Sequence, residues 1–403
     1  PILEAQKNIA TANQSLQQQV QKYQQLPKAH IGMVKNAYAT GNTQLTKMAD
    51  KVNQLSGTFQ ILPDFLGSDQ PRTYALMAMT TSEERSSGGL IGSVGVVTTD
   101  NGKIGIGDFR SNGEYIPYGA GDPTEDEQRI FRQWGPLNMS FDVRDLAVYP
   151  DTSRSAEGMR AIWQRTPWGS NTQLDGVLMV DPVFLQELTK ISGNVTIPDG
   201  TVLTGDNTAE FLLNKVYVDY PVSMQDALFA QVAEQAVGSM FSNIDLAKLT
   251  KVAQLMGSMA EGRHFSMYAF DETAEKTISD AGFTAQTPSS EEHPQVGVYV
   301  TEQNPSKMGW YIHRTSKVTR STCGNDGSQT YHVEYKMTNT LENSQIGALT
   351  SYILGSGGQG VEKTLIYAPA GGSISNLKIS GGSVTESRQE TLNGKPCMRA
   401  MPR

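Results

Sequence analysis

Leu174-Asp175-Gly176-Val177-Leu178-Met179-Val180-Asp181-Pro182 is an apolar run bounded by acids. Its length and its lack of alternation predict a strand buried on both faces over residues 174–180. Pro182, suited to a first helical turn, opens a predicted helix over residues 183–191. Asp181 stands at the carboxyl end of the strand, where open α/β sheets bind ligands. It is also a good helix N-cap, and capping alone accounts for it.

The same alternation continues outward on both sides. Towards the N-terminus, residues 74–79 and 90–98 read as strands separated by a polar, glycine-marked segment, 80–89. Asp100-Asn101-Gly102 is a hairpin turn signal, with residues 103–109 as the returning strand. Residues 113–123 read as loop, and 124–134 and 153–164 as helices. Towards the C-terminus, helices are predicted over 207–217 and 224–240, then strand, helix and strand over 265–269, 272–281 and 297–300. Strands alternating with helices predict an α/β domain, a mixed sheet flanked by helices.

Two further textures flank it. Ile9, Leu16, Val20 and Tyr23 share one face of a helix over residues 1–26, stopped by Pro27. A second helix over 29–55 is ended by Gly57, giving an N-terminal helical arm. After Pro305 the chain reads as all β, with strands over 311–320, 330–338, 349–354, 364–368 and 376–379 in a sandwich-like pattern. The expected domains are therefore 1–57, 58–305 and 306–403.

The chain has 403 residues, 33 Lys and Arg against 41 Asp and Glu, and a net charge of −8. That balance excludes a nucleic-acid binder, which needs a basic footprint to displace counterions. Only 18% of residues are charged, against roughly 25% in an average soluble domain. Hydrogen-bonding neutral residues replace them, a composition commoner outside the cytoplasm. No apolar run approaches the ~18 residues of a membrane helix. The chain opens on Pro1 rather than Met and reads as a trimmed piece, so the lack of an anchor here does not mean its lack in the gene product. Cys323 and Cys397 make no CxxC motif and have no His at ligand spacing. They are either two unrelated thiols or one disulfide closing a long loop, worth ~4 kcal/mol. The low-charge, Thr-rich β region favours the disulfide.

Several familiar chemistries are missing. Gly355-Ser356-Gly357-Gly358-Gln359-Gly360 matches GxGxxG but lies between strands, so no helix N-terminus waits for a phosphate. Ser93 resembles a nucleophile elbow, but Ile91 occupies the first glycine position and the site lies within a strand. The five histidines are scattered, without HExxH spacing. Three clusters remain. Glu83-Glu84-Arg85 precedes Gly88 and Gly89, where glycines admit an anion closely and Arg85 supplies a planar fork. Arg144-Asp145 with Asp151 pairs a diphosphate clamp with acids for a divalent cation. Asp175 and Asp181 flank the central strand. Each has a plain alternative, a solvated ion pair or a helix cap.

The runs Leu62-Pro63-Asp64-Phe65-Leu66-Gly67, Pro71-Arg72-Thr73-Tyr74, Glu83 to Arg85, Gly88-Gly89-Leu90-Ile91-Gly92-Ser93 and Asp100-Asn101-Gly102-Lys103-Ile104 resemble an envelope family of unknown function. That is the domain-of-unknown-function family four-zero-one-two. Arg144-Asp145, Tyr149-Pro150-Asp151, Val180-Asp181-Pro182 and Leu203-Thr204-Gly205-Asp206-Asn207 continue the likeness over nearly the whole chain. It implies an extracytoplasmic protein anchored to the cell membrane by one helix ahead of Pro1. A second likeness, of the α/β part, is to the LytR-CpsA-Psr family, which transfers glycopolymers from polyprenyl diphosphate to cell wall with Mg²⁺. Arg85 and Arg110 take the positions of that family's diphosphate-binding arginines. Gly88-Gly89 stand where it carries an acid, and Met224-Gln225 where it has an Arg-rich helix start.

The expectation is an envelope protein that transfers or binds polyprenyl-diphosphate-linked glycans or a cell-wall polymer. As a transferase, Arg85, Arg110 and Arg144 neutralise the diphosphate, with Gly88, Gly89, Ser93 and Asp181 lining the substrate. Asp145 and Asp151 hold Mg²⁺, and Glu83 is the base for the incoming hydroxyl. The rival is a non-catalytic scaffold that binds glycan or protein. An apolar tunnel lined for diphosphate favours the first, and a filled core favours the second.

Overall fold

Arg72–Arg85 (β1) and Gly88–Asp100 (β2) form one long antiparallel hairpin in the computed structural model, which describes residues 2–28, 30–243 and 245–402. The expected polar loop at 80–89 is instead the continuation of this hairpin, closed by a turn at Ser86-Ser87. Asn101 and Gly102, with φ of 51° and 79°, turn β2 into Lys103–Ile106 (β3) as their sequence predicts. Arg110–Ser111 (β4) pairs with β2 at Val94 and Ser93. On the other side of β1, Gly176–Val180 (β5) runs parallel, and Phe265–Ala269 (β6) pairs antiparallel with β5. The order β3-β2-β1-β5-β6 makes a mixed sheet. All five residues of β5 are buried.

The pleat of β1 divides the core. Tyr74, Leu76 and Ala78 face one cluster, and Ala75, Met77 and Met79 the other. Ile2–Gln24 (α1) and Gly32–Phe65 (α2) form the expected helical arm; Pro1 and Ala29 lie outside the described residues. Gly57 does not end α2. A Cβ there would meet the Ala281 Cβ at 3.1 Å, so the glycine serves close packing. The helix runs on to bury Phe59, Leu62 and Phe65 beneath the sheet and stops at Gly67, φ 67°. Thr152–Trp163 (α3) lies on the opposite face. Pro182–Ser192 (α4), Val222–Phe241 (α5) and Leu246–Glu261 (α6) cover the α2 face. The sequence reading had omitted α6. Glu272–Asp280 (α7) follows β6.

The second cluster is closed by a further sheet. Gly297–Glu302 (β7) is followed by the hairpin of Ile312–Cys323 (β8) and Gln329–Asn339 (β9), then by Glu362–Tyr367 (β10), Val384–Leu392 (β11) and Lys395–Pro402 (β12). Strands β11-β12-β10-β7 form an antiparallel sheet, while β8 and β9 pair only with each other among the described residues. The expected sandwich is thus one four-stranded sheet and a separate ribbon. Residues 349–354 include a helical turn, Ser351–Leu354, where a strand was expected. Residues 376–379 are irregular. No helix among the described residues is long and apolar enough to cross a membrane.

Candidate functional site

The hairpin tip is fastened down rather than open. Ser87 donates from its backbone N–H and its hydroxyl to the Ala147 carbonyl, both at 2.9 Å. Arg85 is 5% exposed, and its Nε and Nη2 each lie 3.0 Å from Asp145 Oδ1. Its Nη1 donates to the Glu84 carbonyl at 3.0 Å. The other Asp145 oxygen accepts from the Ser140 N–H and hydroxyl, both at 2.8 Å. Burial pushes the Asp145 carboxyl up, but Arg85 and Ser140 outweigh it and hold the group below the ordinary carboxylate range. Arg144, next in the same 3-10 turn, points away. It makes a two-pronged pair with Asp142 at 3.0 and 2.7 Å and is 39% exposed.

Around this pair runs a buried ionic seam that joins β1 to β7, β8 and β10. Glu83 pairs with Lys307, whose ammonium sits 4.7 Å from the Tyr217 ring centre and 4.9 Å from that of Tyr352. Glu84 and Glu362 share Arg314, and the Tyr335 hydroxyl donates to Glu362 at 3.1 Å. Glu302 accepts from the Ser306 hydroxyl, and burial pushes its carboxyl up to about 8. Lys307, Arg314 and Glu362 escaped the sequence reading because their partners lie far away, 224 residues for Lys307 and Glu83. The available signal was charge inside an apolar strand, as in Glu362-Lys363 of β10, both buried.

The other expected site residues do not converge here. Arg85 is opposite Gly88 and Arg110 opposite Val94 on the two sides of β2. Six residues of strand put their Cα atoms roughly 20 Å apart. Arg110 lies 4.4 Å over Trp168 and pairs with Glu114 at 3.2 Å. Gly88 and Gly89 serve the hairpin. A Cβ at Gly89 would overlap the Thr80 carbonyl, and Gly88 has φ 150° with Met79 against it. Ser93 is fully buried, and its hydroxyl has no hydrogen-bond partner among the described residues. Asp181 caps α4 through the Val183 and Phe184 N–H groups at 2.9 and 3.0 Å. Its second oxygen meets His264 Nδ1 at 2.6 Å, a pairing across 83 residues that the sequence reading had passed over.

Asp145 and Asp151 have separate partners. Asp145 is committed to Arg85 and Ser140, while Asp151 accepts from the Thr287 N–H at 2.5 Å and its hydroxyl at 3.0 Å. Among the described residues no group of three or more His, Cys, Asp or Glu is arranged to hold a metal ion. Cys323 and Cys397 are both free, the first exposed in the ribbon and the second buried in β12. The expected bridge is therefore absent: Cys323 ends the exposed strand β8, while Cys397 is buried within β12.

Asp151 lines a cleft of about 460 Å³ with Tyr268, Phe270, Glu275, Gln286 and Lys395. Lys395 Nζ donates to the Thr287 hydroxyl at 2.6 Å, next to Asp151. Glu275 accepts from Thr284 Oγ1 and the Ala269 N–H at 2.5 and 2.8 Å. The cleft combines aromatic rings, carboxylates, an exposed amide and an ammonium.

Residues 69–217 match the family model described as "Protein of unknown function (DUF4012)". The match covers about a third of the chain, a shorter span than the motif resemblance. It contains Arg85, Asp145 and Asp181 but not Lys307, Arg314 or Glu362. No curated protein matches the chain. Among solved structures, the crystal structure of the transcriptional regulator yvhJ from Bacillus subtilis is similar at 12% identity. The similarity covers 66% of this chain and 90% of that one, with a TM-score of 0.26.

Proposed function

We propose that the chain is a non-catalytic binding module of the cell envelope, acting outside the membrane and taking a hydroxyl-rich cell-wall saccharide. The observation that carries this reading is the commitment of Arg85. Transfer of a polyprenyl-diphosphate-linked glycan, with Mg²⁺, needs Arg85, Arg110 and Arg144 free and convergent. Arg85 is instead held by Asp145 and two backbone carbonyls, and Arg110 is roughly 20 Å away along β2. The apolar side of the sheet is also filled. α5 sets Leu228, Phe229, Val232, Ala233, Ala236 and Val237 into the core, none more than 5% exposed.

The cleft beside Asp151 suits a neutral polyol. Gln286 and Lys395 offer donors, Asp151 offers acceptors, and Tyr268 and Phe270 give apolar ring surface. The envelope assignment rests on the motif resemblance, centred on the stretch 69–217. The test is a glycan array of cell-wall saccharides followed by calorimetric titration of wild type, Gln286→Ala and Lys395→Ala. Saccharide binding that weakens several-fold in each variant is expected, since one lost hydrogen bond removes about 0.5–1.5 kcal/mol. Absence of saccharide binding by the wild type would contradict the reading.

A further inference from the structure

We propose that the β8–β9 ribbon is a homodimerisation element, pairing the free edge of β9 with the same edge of a second copy. A two-stranded ribbon is marginal by itself. Here strands of 12 and 11 residues pair only with each other among the described residues, so both outer edges lack a neighbour. The register sorts the ribbon's two faces. Arg314, Ser316, Val318 and Arg320 lie opposite Met337, Tyr335, Val333 and Tyr331, while Thr315, Lys317 and Thr319 lie opposite Lys336, Glu334 and His332. The first face is rich in rings and aliphatic groups, and Val318 is 49% exposed. The second is polar throughout.

Charge decides which edge pairs and with what. Across β8 the exposed basic groups are His313, Lys317 and Arg320, since Arg314 is taken by Glu84 and Glu362, and the strand has no acid to answer a second copy. Such basic edges protect against pairing. β9 differs, because Glu334 and Lys336 flank Tyr335 symmetrically. With a two-fold axis at Tyr335, antiparallel β9 strands place Glu334 opposite the second copy's Lys336, and Lys336 opposite its Glu334. Val333 then meets Met337 twice and Tyr335 meets itself, so the apolar face continues across the junction. Lys317, Glu334 and the second copy's Lys336 form one cross-strand row, the kind of opposite-charge pairing that stabilises sheets. Shifting the axis to Glu334 would oppose like charges. The edge is thus self-complementary in this register, as a two-fold interface must be.

The experiment is sedimentation equilibrium on the full chain and three variants, with a distance measurement. Wild type should dimerise, Glu334→Lys and Lys336→Glu should each be monomeric, and the double reversal should dimerise again. Both side chains are exposed, and recovery in the double variant excludes misfolding as the cause. A spin label on Cys323, the exposed thiol, should give one intermolecular distance of about 40 Å. That figure comes from twelve residue steps along the strands and three strand spacings across them. A wild type that stays monomeric at its highest soluble concentration would overturn the proposal, as would single reversals that leave the dimer intact. A label distance of about 30 Å, which a two-fold at Val333 would give, would also overturn it.

Discussion

Arg85 and Asp145, 60 residues apart in sequence, form a buried ion pair in which two guanidinium nitrogens share one carboxylate oxygen at 3.0 Å. The pair ties the β1–β2 hairpin tip to the turn Val143–Val148. Removing one member leaves the other charged and desolvated, the costly way to break such a contact.

Arg85→Ala should therefore lower the unfolding free energy by about 3–5 kcal/mol, measured by urea denaturation. Arg85→Lys should recover part of the loss, because an ammonium cannot make the planar fork. The folded Asp145 carboxyl lies below its ordinary range. Its contribution is full above the unfolded value of about 3.9 and fades as pH falls through the folded one. The gap between wild type and Arg85→Ala should narrow in acid.

Much of the α/β part was legible because its signals are local. The run 174–180, the Asn101-Gly102 turn and Pro182 each specify their element through backbone geometry and burial. Gly57 misled because a helical glycine reads as a stop, whereas its role is set by Ala281, more than 200 residues on. Arg85 misled for a related reason. Two neighbouring acids gave it an apparent surface pairing, while its partner was Asp145. The ionic seam was not legible, since Lys307, Arg314 and Glu362 acquire meaning only once β7, β8 and β10 lie against β1.

Glu302→Gln tests the seam. Burial lifts the Glu302 carboxyl to about 8 in the folded chain, from an unfolded value of about 4.3. A raised folded pKa stabilises fully below the unfolded value, and that stability is lost as pH rises through about 8. The urea midpoint of wild type should fall between about pH 4 and about pH 8, and that of Glu302→Gln should fall less. Equal slopes would show that Glu302 does not hold a proton in the folded state.

The two thiols should behave differently. Cys323 is exposed and Cys397 buried, and burial pushes the Cys397 thiol up to about 11. An aromatic disulfide reagent should titrate one thiol rapidly in the native chain and both after unfolding. A peptide map under non-reducing conditions that joins the two cysteines would contradict the structure.

His264 reports on Asp181. Burial pulls the imidazole pKa down, but the Asp181 hydrogen bond and charge overcome it and hold the value above the ordinary one. Its contribution to stability is present below the unfolded value of about 6.5 and is lost as pH rises through the folded one. Asp181→Asn should lower the His264 midpoint in an NMR titration. An unchanged midpoint would mean that the 2.6 Å contact does not persist in solution.

The central claim is that Arg85 holds the fold together and does not bind a diphosphate. The most direct measurement is calorimetric titration of a short-chain polyprenyl diphosphate, with Mg²⁺, into wild type and Arg85→Lys. No saturable binding to either is the predicted result. Saturable binding to wild type that weakens in Arg85→Lys while the fold stays intact would contradict the account and return Arg85 to a ligand site.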